Sequence, residues 1–221
     1  MIAALVALAV ETVHLVYKTA EAPKAVYAVG DFNDWKTPGL PLRQEGGSWK
    51  LDLKVDPGVY KYVFLAEGQS LPKGDELKKA EQLLAIPPPD YAKHVAEKGD
   101  GIITQSGVRH RPDAHDTSRF KTRAFDLTLR TRRDDVESVS VMAWNEGEAQ
   151  KIYPMALKES DPLFDYYRVK IVVQPDQPFL YRFLLNDGRG SRAYDASGLS
   201  QGLIGGDPFK QSPFSYKDPG S

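Results

Sequence analysis

Residues 48–66 read SWKLDLKVDPGVYKYVFLA, and this stretch decides the fold. In its first half Trp49, Leu51, Leu53 and Val55 alternate with Ser48, Lys50, Asp52 and Lys54. A period of two places the first set on one face and the second on the other, the pattern of a half-buried strand. Pro57-Gly58 follows as a turn, and Tyr60, Tyr62 and Phe64 alternate beyond it. The two runs predict a β-hairpin. Thr12–Lys18 and Ala25–Val29 are shorter strand candidates upstream.

The same period returns further along. Phe125, Leu127 and Leu129 alternate with Asp126, Thr128 and Arg130, and Val139 and Val141 continue the pattern. Tyr167, Val169, Ile171 and Val173 form another run, as do Phe179, Tyr181, Phe183 and Leu185, with Asn186-Asp187-Gly188 as a turn. Short strands with Pro and Gly between them predict an all-β chain of two tandem immunoglobulin-like β-sandwiches. The expected division is a leader-like segment 1–11, a first sandwich 12–106 and a second 107–221. DELKKAEQLLA at 75–85 lacks β-branched residues and ends before three prolines, so a helical insert is expected at about 71–89. Gly99–Gly107 reads as a last strand of the first sandwich. The tail from Gly205, with Phe209, Phe214 and Tyr216, reads as one strand and then a linker.

Composition excludes several functions. The net charge is −1 over 221 residues, and neither half has the positive excess a nonspecific nucleic-acid binder requires. Cysteine is absent, which removes disulfides, thiol nucleophiles and zinc–thiolate sites. No stretch reaches the roughly 20 apolar residues of a membrane span. The first residues, MIAALVALA, resemble the end of a secretion signal but lack its charged start, so they read equally as an apolar first strand or helix turn. Secreted and cytoplasmic locations both stay open.

No Gly-rich phosphate loop, G-x-S-x-G elbow or H-E-x-x-H occurs, so no catalytic residue is assigned. His110 and His115 flank Pro112 at a spacing unsuited to a shared metal, and surface or capping roles are expected. Arg130, Arg132 and Arg133 precede Asp134, Asp135 and Glu137, a run that reads as a solvated, internally paired turn. Asp31, Asn33 and Asp34 could approach a calcium ion, but no further acidic group follows at the spacing of an ion-binding loop, and a turn role is favoured. No cofactor is expected.

The aromatics carry more. A sugar ring offers an apolar C–H face and a rim of hydroxyls, so a flat indole can stack on it while Asn, Asp or Lys bonds the rim. Trp35 lies in the polar loop GDFNDWKTPG beside Asn33, and reads either as such a platform or as a cap on the sandwich. Trp49, in step with Leu51 and Leu53, is expected in the core. Trp144 opens the turn Asn145-Glu146-Gly147 and is the more exposed candidate.

AVYAVGDFNDW, SWKLDLKV and PGVYKYVFLAEG together resemble the glycogen-binding type of carbohydrate-binding module, over about residues 12–106. The resemblance implies that Trp35 is the stacking tryptophan, with Lys61 on the same face. Val63 stands where that family has a basic residue and Ser70 where it has a second tryptophan. HRPDAHD, FDLTLRTRRDDVESVSV, SDPLFDYYRVKI and FLYRFLLNDG resemble the N-terminal domain of neopullulanases, cyclomaltodextrinases and maltogenic amylases, over 107–221. Trp144-Asn145-Glu146 replaces the usual G-D-P. The resemblance implies an accessory region of an α-glucan-degrading glycoside hydrolase, preceding a catalytic (β/α)8 barrel that these residues do not include. Its expected partners are starch, glycogen or maltodextrin, the barrel in cis, and a second copy in a homodimer. A free-standing glucan-binding protein and an immunoglobulin-like module that binds no sugar are the alternatives.

Overall fold

A computed structural model describes residues 11–112, 117–120, 124–172, 177–188 and 190–211. The first ten residues of the leader-like segment, and His115, Val173, Phe214 and Tyr216, lie outside the described residues. The fold is all-β, with one short α-helix among the described residues, and it divides into two compact units between Pro89 and Asp90. Among the described residues no helix is long and apolar enough to cross a membrane.

The first unit contains β1 (Glu11–Tyr17), β2 (Val26–Gly30), β3 (Leu40–Pro41), β4 (Arg43–Glu45), β5 (Ser48–Val55), β6 (Gly58–Ala66), α1 (Gly74–Ala80) and β7 (Gln82–Ile86). They form two antiparallel sheets, ordered β1-β5-β4 and β3-β2-β6-β7. Between them lies a core of Leu15, Val26, Ala28, Leu42, Trp49, Leu53 and Tyr62. Trp49 is in that core, as its alternation predicts. The predicted hairpin is corrected: β5 pairs with β1 and β4, whereas β6 pairs with β2 and β7. Asp56-Pro57 carries the chain from one sheet to the other. Both strands still bury their alternate residues in one core, and the alternation alone does not say which sheet a strand joins.

The helical insert is also shorter than expected. Helix α1 ends at Ala80, and Gln82–Ile86 is a strand on the edge of β6. Leu84 packs on the core and Ile86 is buried, and the Tyr62 hydroxyl donates to Gln82 Oε1 at 2.9 Å. Sheet pairing outweighs the modest helix propensity of QLLA, a difference of tenths of a kcal/mol per residue.

The second unit contains β8 (Thr117–Phe120), β9 (Ala124–Arg132), β10 (Ser138–Asn145), β11 (Lys151–Pro154), β12 (Ala156–Ser160), β13 (Phe164–Val172), β14 (Phe179–Asn186), β15 (Ser191–Asp195), β16 (Gly198–Leu199) and β17 (Phe209–Gln211). One sheet runs β12-β13-β9-β8. The other runs β11-β10-β14-β15-β16, with β17 also paired to β14. Phe125, Leu127 and Leu129 from the first sheet meet Val139, Val141, Tyr181, Phe183 and Leu185 from the second.

Residues 90–107 belong to this second unit, and Gly99–Gly107 is a loop closed by a 3-10 turn rather than a strand. Buried carboxylates fasten the segment. Asp187 accepts from the Gly99 and Gly101 N–H groups, each at 2.6 Å. Asp135, with no exposed surface, accepts from Thr104 N–H at 2.7 Å and from its hydroxyl at 3.0 Å. Arg132 donates to the Tyr91 and His94 carbonyls and lies 4.2 Å above the Tyr91 ring. Arg130 donates to the Ser106 and Gly107 carbonyls and lies 3.8 Å from the Phe164 ring. The expected solvated turn is thereby corrected: only Arg133 and Asp134 behave as an exposed pair, at 3.5 Å. Gly107 is required by this docking, since a Cβ there would strike the Arg132 backbone. His110 is corrected as well. It is 5% exposed, inside an aromatic cluster of Tyr181, Phe183 and Phe209.

Candidate functional site

The four candidate residues fall in two places: Asn33, Trp35 and Lys61 in the first unit, and Trp144 in the second. The loop after β2 begins with Gly30, where a Cβ would run into Lys61 and Tyr62 of β6. That close approach lets Asp31–Asn33 form a 3-10 turn against the sheet. Asn33 closes the turn with both ends of its amide, accepting from Gly30 N–H at 3.0 Å and donating to the Lys36 carbonyl at 2.8 Å. Asp34 and Trp35 then take left-handed backbone conformations, with φ of 55° and 57°. For non-glycine residues this is uncommon, and neighbouring bonds have to hold it. Trp35 N–H donates to the Gly30 carbonyl at 3.0 Å.

Asp31 then fixes the indole. Its Oδ1 accepts from Trp35 Nε1–H at 2.8 Å, and its Oδ2 accepts from the Lys61 backbone N–H at 2.7 Å. One carboxylate therefore couples the loop tryptophan to the middle of β6. The indole packs on Val29, Val63 and Leu65, the outward side of β2 and β6, which Leu71 and Leu77 of the insert also cover. It stays half-buried, neither enclosed nor free.

Lys61 projects from that same outward side by alternation with Val63 and Leu65, and its Nζ lies 3.7 Å from Glu81 Oε2. Its partner across the ladder is Leu83, 55% exposed. The surface therefore joins a clamped aromatic ring, an exposed leucine, a cation and an anion. Sequence reading missed Leu83 and Glu81 because it assigned both to a helix. Asp31 was visible only as a turn residue, although the Asp-to-Trp spacing of four in GDFNDW was the available signal. Both Asp31 oxygens are engaged by N–H donors. Among the described residues no group of three or more histidine or acidic side chains could hold a metal ion.

Trp144 is half-buried at the end of β10, with the Arg182 guanidinium 5.8 Å over its ring. It borders a cleft of ≈190 Å³ with Tyr153, Phe179, Glu148 and Lys151.

Each unit is a two-sheet antiparallel β-sandwich; the candidate Trp35 lies on the outward side of the first, and the candidate Trp144 beside a cleft in the second. Residues 103–210 match the family described as "Alpha amylase, N-terminal ig-like domain". The second unit therefore resembles the N-terminal immunoglobulin-like domain of α-amylases. The chain is also similar, at 42% identity over 81 residues, to the 1,4-alpha-glucan branching enzyme GlgB 2 of Xanthomonas campestris pv. campestris strains 8004 and ATCC 33913. That match covers 34% of this chain and 11% of the enzyme, so the chain spans about a tenth of the length of these relatives. Among solved structures it is similar to a cyclomaltodextrinase, with 24% identity and a TM-score of 0.45, covering 49% of this chain and 19% of that one. It is similar too to the maltogenic amylase of S. marinus, with 15% identity and a TM-score of 0.49, covering 93% of this chain and 29% of that one.

Proposed function

We propose that this region binds α-glucan through the outward side of β2, β6 and β7, without cutting any bond itself, and serves a glycoside hydrolase or glucan-modifying barrel in the full protein. The observation that supports the reading is the Asp31–Trp35 clamp. An indole whose N–H is already bonded meets a ligand with its ring, and a ring stacks on the C–H side of glucose. Holding the ring in advance removes ordering entropy that binding would otherwise have to overcome. Lys61 and Glu81 supply a donor and an acceptor for hydroxyls beside it, and Asn33 shapes the loop. Tethering substrate in this way raises its concentration near a linked active site.

Affinity electrophoresis in amylopectin tests the reading. The native chain is expected to be retarded, and Trp35→Ala to bind roughly tenfold more weakly, the scale of one aromatic stack. Equal migration of the two proteins, with and without polysaccharide, would remove glucan binding at this face and favour an immunoglobulin-like module that binds no sugar.

A second prediction separates the ring from its clamp. Asp31→Ala is expected to keep the fold but free the indole N–H, seen as faster exchange of the Trp35 Nε1 proton in NMR, and to weaken retardation a few-fold. Asp31→Asn keeps an acceptor for Nε1 but turns an NH₂ toward the Lys61 N–H, so an intermediate result is expected. Unchanged exchange and retardation in Asp31→Ala would show that the carboxylate does not position the ring.

A further inference from the structure

The outward side of the first unit's other sheet carries a charge arrangement that the glucan reading does not use. By alternation Thr12, His14 and Val16 of β1, Lys50, Asp52 and Lys54 of β5, and Arg43 and Glu45 of β4 face outward together, with Lys18 just past the end of β1. Asp52 stands at the centre. It lies directly opposite His14, whose Nδ1 is 2.7 Å from its Oδ1, and its Oδ2 accepts from the Arg43 guanidinium at 2.8 Å. Glu45 pairs with Lys50 at 3.2 Å. Both anions of the face are thus engaged by cations of the same face. Lys18 and Lys54 are exposed and have no ion pair or side-chain hydrogen bond among the described residues. Val16, directly across from Lys50, is an apolar side chain left 46% exposed among these charges.

Lys18, Lys50, Lys54 and Arg43 outnumber Asp52 and Glu45, so the face is positive, and His14 can add to it. A carboxylate only accepts, so His14 Nδ1 carries the proton and Nε2 keeps its lone pair, with no partner among the described residues. The His14 bond, with the charge and bond of Arg43, outweighs desolvation and holds the Asp52 carboxyl below 3.8. Asp52 therefore stays ionised over the range of about pH 5 to 8 in which histidines change charge. A second proton at Nε2 makes the His14 bond charge-assisted and raises the positive excess without breaking a contact. Asp52 favours that proton, the diagonal Lys50 and Lys54 oppose it, and Thr12 and Val16 beside it on β1 carry no charge. The same mixture selects the partner. A uniform polyanion would press its phosphates on Glu45 and Asp52 and offer Val16 nothing, and a divalent cation would meet the positive excess. A carboxylate-rich protein surface satisfies all of them: its acids reach Lys18, Lys54 and the remaining N–H groups of Arg43, and an apolar side chain covers Val16.

We infer that the outward side of β1, β5 and β4 docks an acidic partner protein, and that protonation of His14 tightens the docking as pH falls. Trp35, Lys61 and Leu83 belong to the other sheet's side, so glucan and partner use different side chains and neither reading depends on the other. Each exposed pair contributes little by itself, and the complementary charges act together, on encounter rate and on the choice of partner.

The test is ¹⁵N–¹H NMR titration of the whole chain with a glutamate–tyrosine copolymer, polyphosphate and polylysine, at about pH 6 and about pH 8. The expected result is copolymer-dependent shifts of the amides at 12–18 and 43–54, with binding roughly twofold to fivefold tighter at the lower pH, the scale of one exposed charge, and weaker as salt is added. His14→Gln is expected to abolish the pH difference, Lys54→Ala to weaken binding by a similar factor at both pH values, and Trp35→Ala to change neither. His14→Gln and Lys54→Ala alter only exposed side chains, so their effects do not report unfolding. No copolymer shifts at these amides, or equal binding by Lys54→Ala, would overturn the docking surface. The same pH difference in His14→Gln, or none in the native chain, would overturn the role given to His14. Tighter binding of polyphosphate than of the copolymer at these amides would overturn the protein partner in favour of a polyanion, and binding of polylysine would overturn the charge argument itself. None of these outcomes alters retardation in amylopectin, which tests the Trp35 face separately.

Discussion

Asp135→Ala is expected to destabilise the second unit by about 3–5 kcal/mol, the scale for removing one partner from a buried charged network. The Asp135 carboxylate accepts both Thr104 bonds and has His94 Nε2 3.6 Å away. Thr104, 4% exposed, donates its hydroxyl proton to Asp135 and accepts from Arg132 and His94 on the same oxygen. Deleting the carboxylate leaves a buried N–H and hydroxyl without acceptor and loosens residues 90–107. Chemical denaturation gives the magnitude, and hydrogen exchange at Gly99, Gly101 and Thr104 gives the location. A loss below about 1 kcal/mol with protected amides would mean that this segment is held elsewhere.

Asp135 also sets a pH dependence. Burial raises its pKa above 3.8, against the opposing pull of the Thr104 bonds, Arg132 and His94. The folded state thus holds the proton more firmly than the unfolded chain. Its contribution to stability is full below the unfolded value and is lost as pH rises through the higher folded value. Asp135→Asn, which removes the charge but can accept only at one atom, is expected to be milder than the alanine change and to flatten that slope.

The strands and their buried faces were legible because alternation is a one-dimensional signal. Trp49, Phe125, Leu127, Tyr181 and Phe183 point inward as their positions dictate. What was not legible depended on partners distant in sequence. Gln82–Leu84 is a strand because the edge of β6 is there to pair with it, 20 residues or more away in the chain. Arg130 and Arg132 leave water because the backbone carbonyls of 91, 94, 106 and 107 converge on them, which no local charge count reveals. The candidate site divides the same way. Trp35 and Asn33 announce themselves in a short motif, whereas the Asp31 bond to Lys61 spans 30 residues and Leu83 waits on a pairing.

Several residues that carry the family resemblance turn out to be structural supports. Asp161 accepts from Leu163 and Phe164 N–H and from the Tyr166 hydroxyl, closing the turn of SDPLFDYY. Asp165 accepts from Asp134 N–H and the Ser160 hydroxyl. His110 is the most demanding case. Two residues along β9 from the Arg109–Arg130 bridge, the Thr128 carbonyl lies 2.7 Å from His110 Nδ1. A carbonyl only accepts, so Nδ1 carries the proton, and Nε2 accepts from the Tyr181 hydroxyl at 2.8 Å. The imidazole thus joins one sheet to the other across the core.

His110→Ala is accordingly expected to cost about 3 kcal/mol, combining a cavity among three aromatic rings with the loss of both bonds. His110→Phe refills the volume but leaves the Thr128 carbonyl and Tyr181 hydroxyl without the ring's bonds. It is expected to recover part of the loss and still cost about 1–3 kcal/mol, the desolvation scale for buried polar groups. Tyr181→Phe removes only the hydroxyl, so its cost and that of His110→Phe are expected to be strongly non-additive in a double-mutant cycle, because each destroys the same bond. Full additivity, or a His110→Phe variant as stable as the native chain, would reduce the histidine to packing. The core would then be joined by apolar contact alone.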